Sequence, residues 1–229
     1  NVFMQFNRVD ERTLEPLPKK NVDTGMGLER TNCILQGKTS VYLTEVFQPI
    51  IHKIEELSGY KYGEEDAKDQ SVRIIADHTR SATFILGDQK GMAPGNVGQG
   101  YILRRLIRRA VRHGKKIGIE GDFLSSLAEV VLSLYGVPYP ELTDHKDFIY
   151  DELKKEEEKF SKTLVNGEKE FEKLLPNLLK GQSRVIGGRI AFKLYDTYGF
   201  PIELTEELAK EHGFTVDRKG FEEAFEKHQ

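Results

Sequence analysis

Along most of this chain apolar residues recur at the three- and four-residue spacing of helices; residues 2–22 read otherwise. Val2-Phe3-Met4-Gln5-Phe6 is an apolar run, Val9 to Thr13 is polar and turn-rich, and Leu14-Glu15-Pro16-Leu17-Pro18 is a second run. Two strands joined by a hairpin are the economical reading. Asp23 or Thr24 can then cap a helix that ends at Gly37. Val41, Phe47, Ile50, Ile51, Ile54 and Leu57 keep a helical period up to Gly59, and Val72, Ile75, Ala76, Thr79, Thr83 and Leu86 make another helix before a glycine-rich loop. Asp122 to Tyr135 predicts a short helix closed by Gly136 and Pro138. The longest helix runs from Asp144 to about Leu179, with Ile149, Leu153, Phe160, Leu164, Phe171 and Leu178 at near-heptad spacing. Gly167 is its candidate interruption, and Glu156-Glu157-Glu158 reads as a solvated face. Arg189 to Tyr198, Ile202 to His212 and Asp217 to His228 complete the set, punctuated by Gly199, Pro201 and Gly213. The expected fold class is mainly α: the end of an α/β domain followed by a helical domain.

Charge changes this picture at one place. Between Gln89 and Ile119 there are eight Lys and Arg residues and no Asp or Glu, in a chain whose net charge is −3. At ~100° per residue, Arg104, Arg105, Arg108, Arg109, Arg112, Lys115 and Lys116 fall within an arc of about 140°, with Ile102, Leu103, Leu106, Ile107, Ala110 and Val111 on the remaining arc. Solvated helix faces normally mix signs at i, i+4, and here no carboxylate answers any arginine, so the stripe is expected to lack internal counter-ions. The stripe is therefore expected to meet a phosphate backbone.

Composition narrows the classes. At 229 residues with 31% charged and 38% hydrophobic residues, the chain suits one or two globular domains. No apolar run approaches the ~18 residues of a membrane span. The lone Cys33 excludes a disulfide framework and a cysteine zinc knuckle, and fits a reducing compartment. The opening Asn-Val-Phe-Met-Gln-Phe, without an initiator Met, reads as a strand interior within a longer protein.

A second constellation is VDTGMGLER. Gly25 and Gly27 stand between a strand and a helix, with Glu29 and Arg30 one turn in; such glycines let a ligand approach the backbone, and an arginine there can clamp a phosphate. On those residues alone an ordinary capped helix is the simpler reading. The whole string resembles motif 3 of the class II aminoacyl-tRNA synthetases, a Gly-x-Gly-x-Glu-Arg segment at a strand-to-helix junction. NVFMQFNR, LEPLPKKNVDTGMGLER, IADHTRSATFILGD, GNVGQGYILRRLIRRAVRHG and LYDTYGFPIELT further resemble, in order and over nearly the whole chain, the alanyl-tRNA synthetase family within that class.

The resemblance implies that residues 1–37 are the C-terminal β-hairpin and motif-3 helix of a class II catalytic domain, and that residues 38–229 are a helical tRNA-recognition domain. It implies that Arg30 contacts ATP phosphates, that Asp23 binds the ammonium of alanine, and that Gly25, Gly27 and Val2 floor and wall the amino-acid pocket. Asn1 matches a variable position of the family's pattern, and the alanine-binding asparagine would lie upstream. Motif 1, motif 2 with its catalytic arginine, the editing domain and the oligomerisation region are not in this sequence. No catalytic residue is therefore assigned, and the polypeptide alone is expected to be inactive. ATP and Mg2+ are the parent enzyme's expected cofactors, with zinc only in the editing domain and no metal in this chain, whose histidines lack HxxxH spacing. The implied partner is the tRNA(Ala) acceptor stem, with alanine and ATP as substrates, in the cytoplasm and away from membranes. Asn96 and Asp196 match the residues that read its G·U pair, leaving Arg104, Arg105, Arg108, Arg109 and Arg112 for phosphates, although some arginines can pair instead with the acidic long helix.

Other polar residues carry plainer expectations. Asp77, His78 and Arg80 suit a structural hydrogen-bond network, Cys33 a buried small hydrophobe, and Tyr195 and Tyr198 either base stacking or core packing. The competing class is a non-enzymatic helical module that lays the basic helix in a DNA groove.

Overall fold

The computed structural model describes residues 2–181 and 183–228. Asn1 therefore lies outside the described residues. The chain folds as two compact units, Asn1–Gln48 and Pro49–Gln229.

In the first unit β1 (Val2–Arg8) and β2 (Leu14–Asp23) pair antiparallel, with Val2 opposite Asp23 and Arg8 opposite Leu14. The predicted hairpin is thus present, and its register shifts between Met4 and Phe6. Asp10 builds the turn: its carboxylate accepts from the Arg12 and Thr13 amides, both at 2.8 Å, and from the Thr13 hydroxyl. Those bonds lower the Asp10 pKa.

Helix α1 spans Leu28–Leu35 behind an N-cap at Gly27. The expected cap at Asp23 or Thr24 is not made, because Asp23 Oδ1 accepts instead from the Thr24 amide at 2.8 Å. Gly37, at φ +62°, ends the segment in the left-handed conformation. Cys33 is buried, as expected. The helix expected from Val41 also starts later. Val41–Leu43 is a single 3-10 turn, where Ser40 Oγ accepts from the Tyr42 amide and Thr44 Oγ1 donates to the Val41 carbonyl at 2.6 Å. Short hydroxyl side chains compete with helical hydrogen bonding here.

The second unit is helical. Its elements are α2 (Gln48–Ser58), α3 (Asp66–Gly87), α4 (Gly98–Lys116), α5 (Leu124–Tyr135), α6 (Pro140–Asp144), α7 (Lys146–Lys180), α8 (Gly188–Tyr198), α9 (Ile202–Glu211) and α10 (Arg218–His228). Two short strands, β3 (Val185–Ile186) and β4 (Thr215–Val216), pair in parallel. The mainly α expectation holds.

Helices α3 and α4 pack along each other, and α7 packs against α3, α4, α5 and α8. The core between them holds Val72 and Ile75 of α3, Leu103 and Ile107 of α4, Leu124 and Leu127 of α5, and Ile149, Leu153 and Phe160 of α7, all at most 1% exposed. The near-heptad stripe of α7 is this buried edge. Gly167 does not interrupt the helix: a Cβ there would lie 2.4 Å from the Phe200 ring, so the missing side chain admits that ring. The solvated reading of Glu156 and Glu157 is overturned, since they are only 5% and 1% exposed.

Candidate functional site

Helix α4 presents the predicted apolar face to the core, but its basic face has counter-ions. Helix α9 carries Glu203, Glu207 and Glu211 at four-residue spacing, and they meet the α4 cations in the same order. Arg105 Nη1 lies 3.0 Å from Glu203 Oε1, Arg109 pairs with Glu207, Arg112 Nη2 lies 2.7 Å from Glu211 Oε2, and Lys116 Nζ lies 2.9 Å from Glu211 Oε1. From α7, Glu168 takes Lys115 at 2.7 Å, and Glu156 takes Arg104 at 3.2 Å and Arg108 at 2.6 Å.

The expectation that the stripe lacks internal counter-ions is therefore corrected. Its carboxylates come from elements distant in sequence, outside the stretch in which the charges were compared. The side chains of Arg108 and Arg112 are only 7% and 4% exposed. Burial lowers the Arg108 pKa while Glu156 opposes that shift. A groove-binding basic helix loses its main support, and with it the competing reading.

Behind the ladder lies the network expected around His78. Its Nδ1 is 3.1 Å from Asp77 Oδ2, and its Nε2 is 3.0 Å from Arg109 Nη1. The hydrogen bond from His78 lowers the Asp77 pKa. Further along α4, buried His113 sets Nδ1 3.0 Å from Ser71 Oγ and Nε2 3.7 Å from Glu207 Oε2. Burial lowers the His113 pKa against the pull of Glu207. Burial works to raise the Glu207 pKa, yet neighbouring His113 and the Arg109 charge hold it below the ordinary value.

Beside the N-terminus of α4, the glycine-rich loop and the end of α8 enclose a cavity of about 320 Å³ whose lining includes Asn96, Lys159, Tyr195, Asp196 and Tyr198. Asn96 and Asp196 are thus brought together across the length of four intervening helices. Arg104 donates to Asn96 Oδ1 through Nη1 and to the Pro94 carbonyl through Nη2 at 3.2 Å. Asp196 Oδ1 lies 3.4 Å from His228 Nε2. Tyr195 packs edge-on against Phe221 and Phe225, with both ring centroids 5.6 Å away, while also lining the cavity. Lys159, which the sequence reading missed, lies exposed on the cavity wall with no carboxylate partner among the described residues. Its only sequence signal is its place one turn beyond Glu156 on α7.

In the first unit, Val2 and Asp23 sit opposite each other on the paired strands, and Gly25, Gly27 and Arg30 follow at the start of α1. All five residues are exposed. Gly25 has nothing within 4 Å of where a Cβ would be, and the Arg30 stem packs over Gly27 at 3.4 Å. An exposed guanidinium beside bare backbone suits a phosphate. Apolar residues of this unit are exposed too, Phe3 at 70% and Ile34 at 77% among them. Among the described residues no three His, Cys, Asp or Glu side chains are grouped to hold a metal ion, and no helix is long and apolar enough to cross a membrane.

A mainly helical chain led by a strand pair and a Gly-x-Gly-x-Glu-Arg helix start fits a class II synthetase segment. The family model described as tRNA synthetases class II (A) matches residues 1–229, and the chain belongs to that family. More particularly, it is 55% identical over 229 residues to the alanine–tRNA ligase of Treponema pallidum and 60% identical to that of Treponema denticola, covering 100% of this chain and 38% of each relative. It is 49% identical over 232 residues to the alanine–tRNA ligase of Lactococcus lactis strain SK11, covering 26% of that protein. The resemblance read from VDTGMGLER and its companion strings is borne out.

Proposed function

We propose that the chain works as part of an alanine–tRNA ligase. In that enzyme the carboxylate of alanine attacks the α-phosphorus of ATP, pyrophosphate leaves, and the acyl group passes from the adenylate to the terminal adenosine of tRNA(Ala). Residues 1–37 supply part of the alanine and ATP site. Asp23 has one carboxylate oxygen outside its bond to the Thr24 amide, suited to the ammonium of alanine, while Val2, Gly25 and Gly27 leave room for a small side chain. Arg30 suits a phosphate of ATP. The Mg2+ that accompanies ATP in such chemistry screens phosphate charge when bound.

Residues 38–229 recognise the acceptor stem. The observation that carries this reading is the single cavity lined by both Asn96 and Asp196. A guanidinium has only donors, so Arg104 must face the Asn96 oxygen and leaves the Nδ2 end to donate outward. Asp196 can only accept. One donor and one acceptor side by side suit the minor-groove edge of a G·U pair, which offers a uracil carbonyl and a guanine amino group. Lys159 is the cation on the cavity wall left to meet a phosphate. Arg104, Arg105, Arg108, Arg109 and Arg112 are engaged within the protein.

The test measures binding to an alanine-tRNA acceptor hairpin and to the same hairpin with G·C replacing G·U, across a salt series. Asn96→Ala is expected to narrow the preference for G·U. Lys159→Ala is expected to weaken both hairpins alike and reduce the salt slope by about 1. Undiminished discrimination in Asn96→Ala would show that the pair is read elsewhere.

A further inference from the structure

The two groove-reading side chains stand on separate elements, a glycine-rich loop and the last turn of α8, so something must hold them in register. One buried carboxylate reaches both. Glu156 Oε1 accepts from Arg108 Nε at 2.6 Å and lies 3.2 Å from Arg104 Nε. Arg104 turns its other nitrogens to the loop, donating to the Pro94 carbonyl and to Asn96 itself. Arg108 turns the opposite way and donates through Nη1 to the Gly199 carbonyl, where α8 ends three residues beyond Asp196. Gly199 is held at φ +61°, and a Cβ there would stand 2.7 Å from Arg108 Nη1. The arm is therefore seated against bare backbone.

We propose that Glu156, with Arg104 and Arg108, is the positioning device that sets the spacing and orientation of Asn96 and Asp196 and so determines discrimination of the acceptor-stem pair. This rests on the reading of Asn96 and Asp196 given above. The arginines act through geometry and not through attraction of phosphate. Glu156 is 5% exposed, so its contribution passes through the two arms. A planar guanidinium can satisfy a carboxylate, a carbonyl and an amide oxygen at once in fixed directions; an ammonium on a flexible stem cannot hold the same three-way fork.

Arg104→Lys is the decisive variant, because it keeps the charge and removes the fork. Glu156→Gln keeps the size and removes the charge that both arms share. Each is compared with the unaltered 229-residue chain for binding to the G·U and G·C hairpins over a salt series, with helicity followed by circular dichroism. The unaltered chain is expected to prefer G·U. Both variants are expected to lower that preference by about tenfold or more, the scale of one mis-read base pair, with the salt slope unchanged. Should Glu156→Gln lose its helicity, Arg104→Lys decides. If the unaltered chain shows no preference, the reading of Asn96 and Asp196 fails and this assignment with it. If the unaltered chain discriminates and Arg104→Lys keeps the ratio, the clamp is overturned while that reading stands. Equal weakening of both hairpins with a changed salt slope would likewise overturn it, by making Arg104 a phosphate contact.

Discussion

Glu157 offers a sharp thermodynamic test of the packing around α7. Its carboxylate is 1% exposed and caps α5, with Oε1 accepting from the Phe123 amide and Oε2 from the Leu124 amide, each at 3.1 Å. Burial pushes its pKa up to about 7 even though both hydrogen bonds act to lower it, and Asp122 and Glu158 add like charge. A folded-state pKa above the unfolded value means that the native chain holds the proton longer. This group's stabilisation is fully present below about pH 4.5 and is lost as pH rises through 7. The loss is worth about 3 kcal/mol once titration is complete. Glu157→Gln removes the titration. Urea unfolding of both proteins, followed by circular dichroism between pH 5 and pH 8, isolates the effect. His113 and Glu207, whose depressed pKa values tilt stability the other way, are common to both and cancel in the difference. Relative to the unaltered chain, the variant is expected to gain roughly 2–3 kcal/mol over that range. A difference that stays flat with pH would show that Glu157 is solvated or ionised throughout, and the burial argument would fail.

Two further substitutions probe other contacts. Arg112→Met should destabilise the second unit by about 3 kcal/mol or more in the same urea assay, because it leaves Glu207 and Glu211 short of a partner at a side chain only 4% exposed; a loss below ~1 kcal/mol would mean the pairs are solvated. Gly188→Ala would place a Cβ 2.1 Å from the backbone of Gly220 and Phe221, so the packing of α8 on α10 should loosen and the melting temperature fall, by an amount matching about 1–3 kcal/mol. An unchanged melting temperature would refute that close packing.

Local pattern made much of the fold legible. The hairpin followed from two apolar runs about a polar turn, and most helices followed from periodicity and glycine stops. The misses have local causes. Strands β3 and β4 are two residues each, too short to show alternation, and the stretch after Ser40 is held by hydroxyl-to-backbone bonds that hydrophobic spacing does not register. The candidate site was half legible: Asn96 and Asp196 came from family motifs, whereas their shared cavity and Lys159 on its wall depend on how α7 and α8 pack. The charge ladder was misread for one reason. Unbalanced charge in one segment says nothing about charge elsewhere in the chain, although ELTEELAKE, with Glu203, Glu207 and Glu211 at the spacing of Arg105 and Arg109, held the missing half.

The ladder also raises a question of register. Buried ion pairs are weak evidence of stabilisation, since desolvation offsets much of their attraction, so their geometric consequence matters more. Carboxylates every four residues on α9 facing cations every three or four on α4 would still pair at two or more of three rungs if one helix slid by a turn. Two contacts outside that repeat break the degeneracy. Tyr101 donates to Glu203 Oε2 at 3.1 Å at one end of the ladder, and Arg108 reaches the Gly199 carbonyl, a position that only a glycine backbone leaves open. Sliding by a turn would forfeit both and strand Arg108 beside Glu156 with its second arm unbonded. The periodic pairs thus neutralise the face, while the aperiodic ones select the single alignment in which Asn96 and Asp196 line the same cavity.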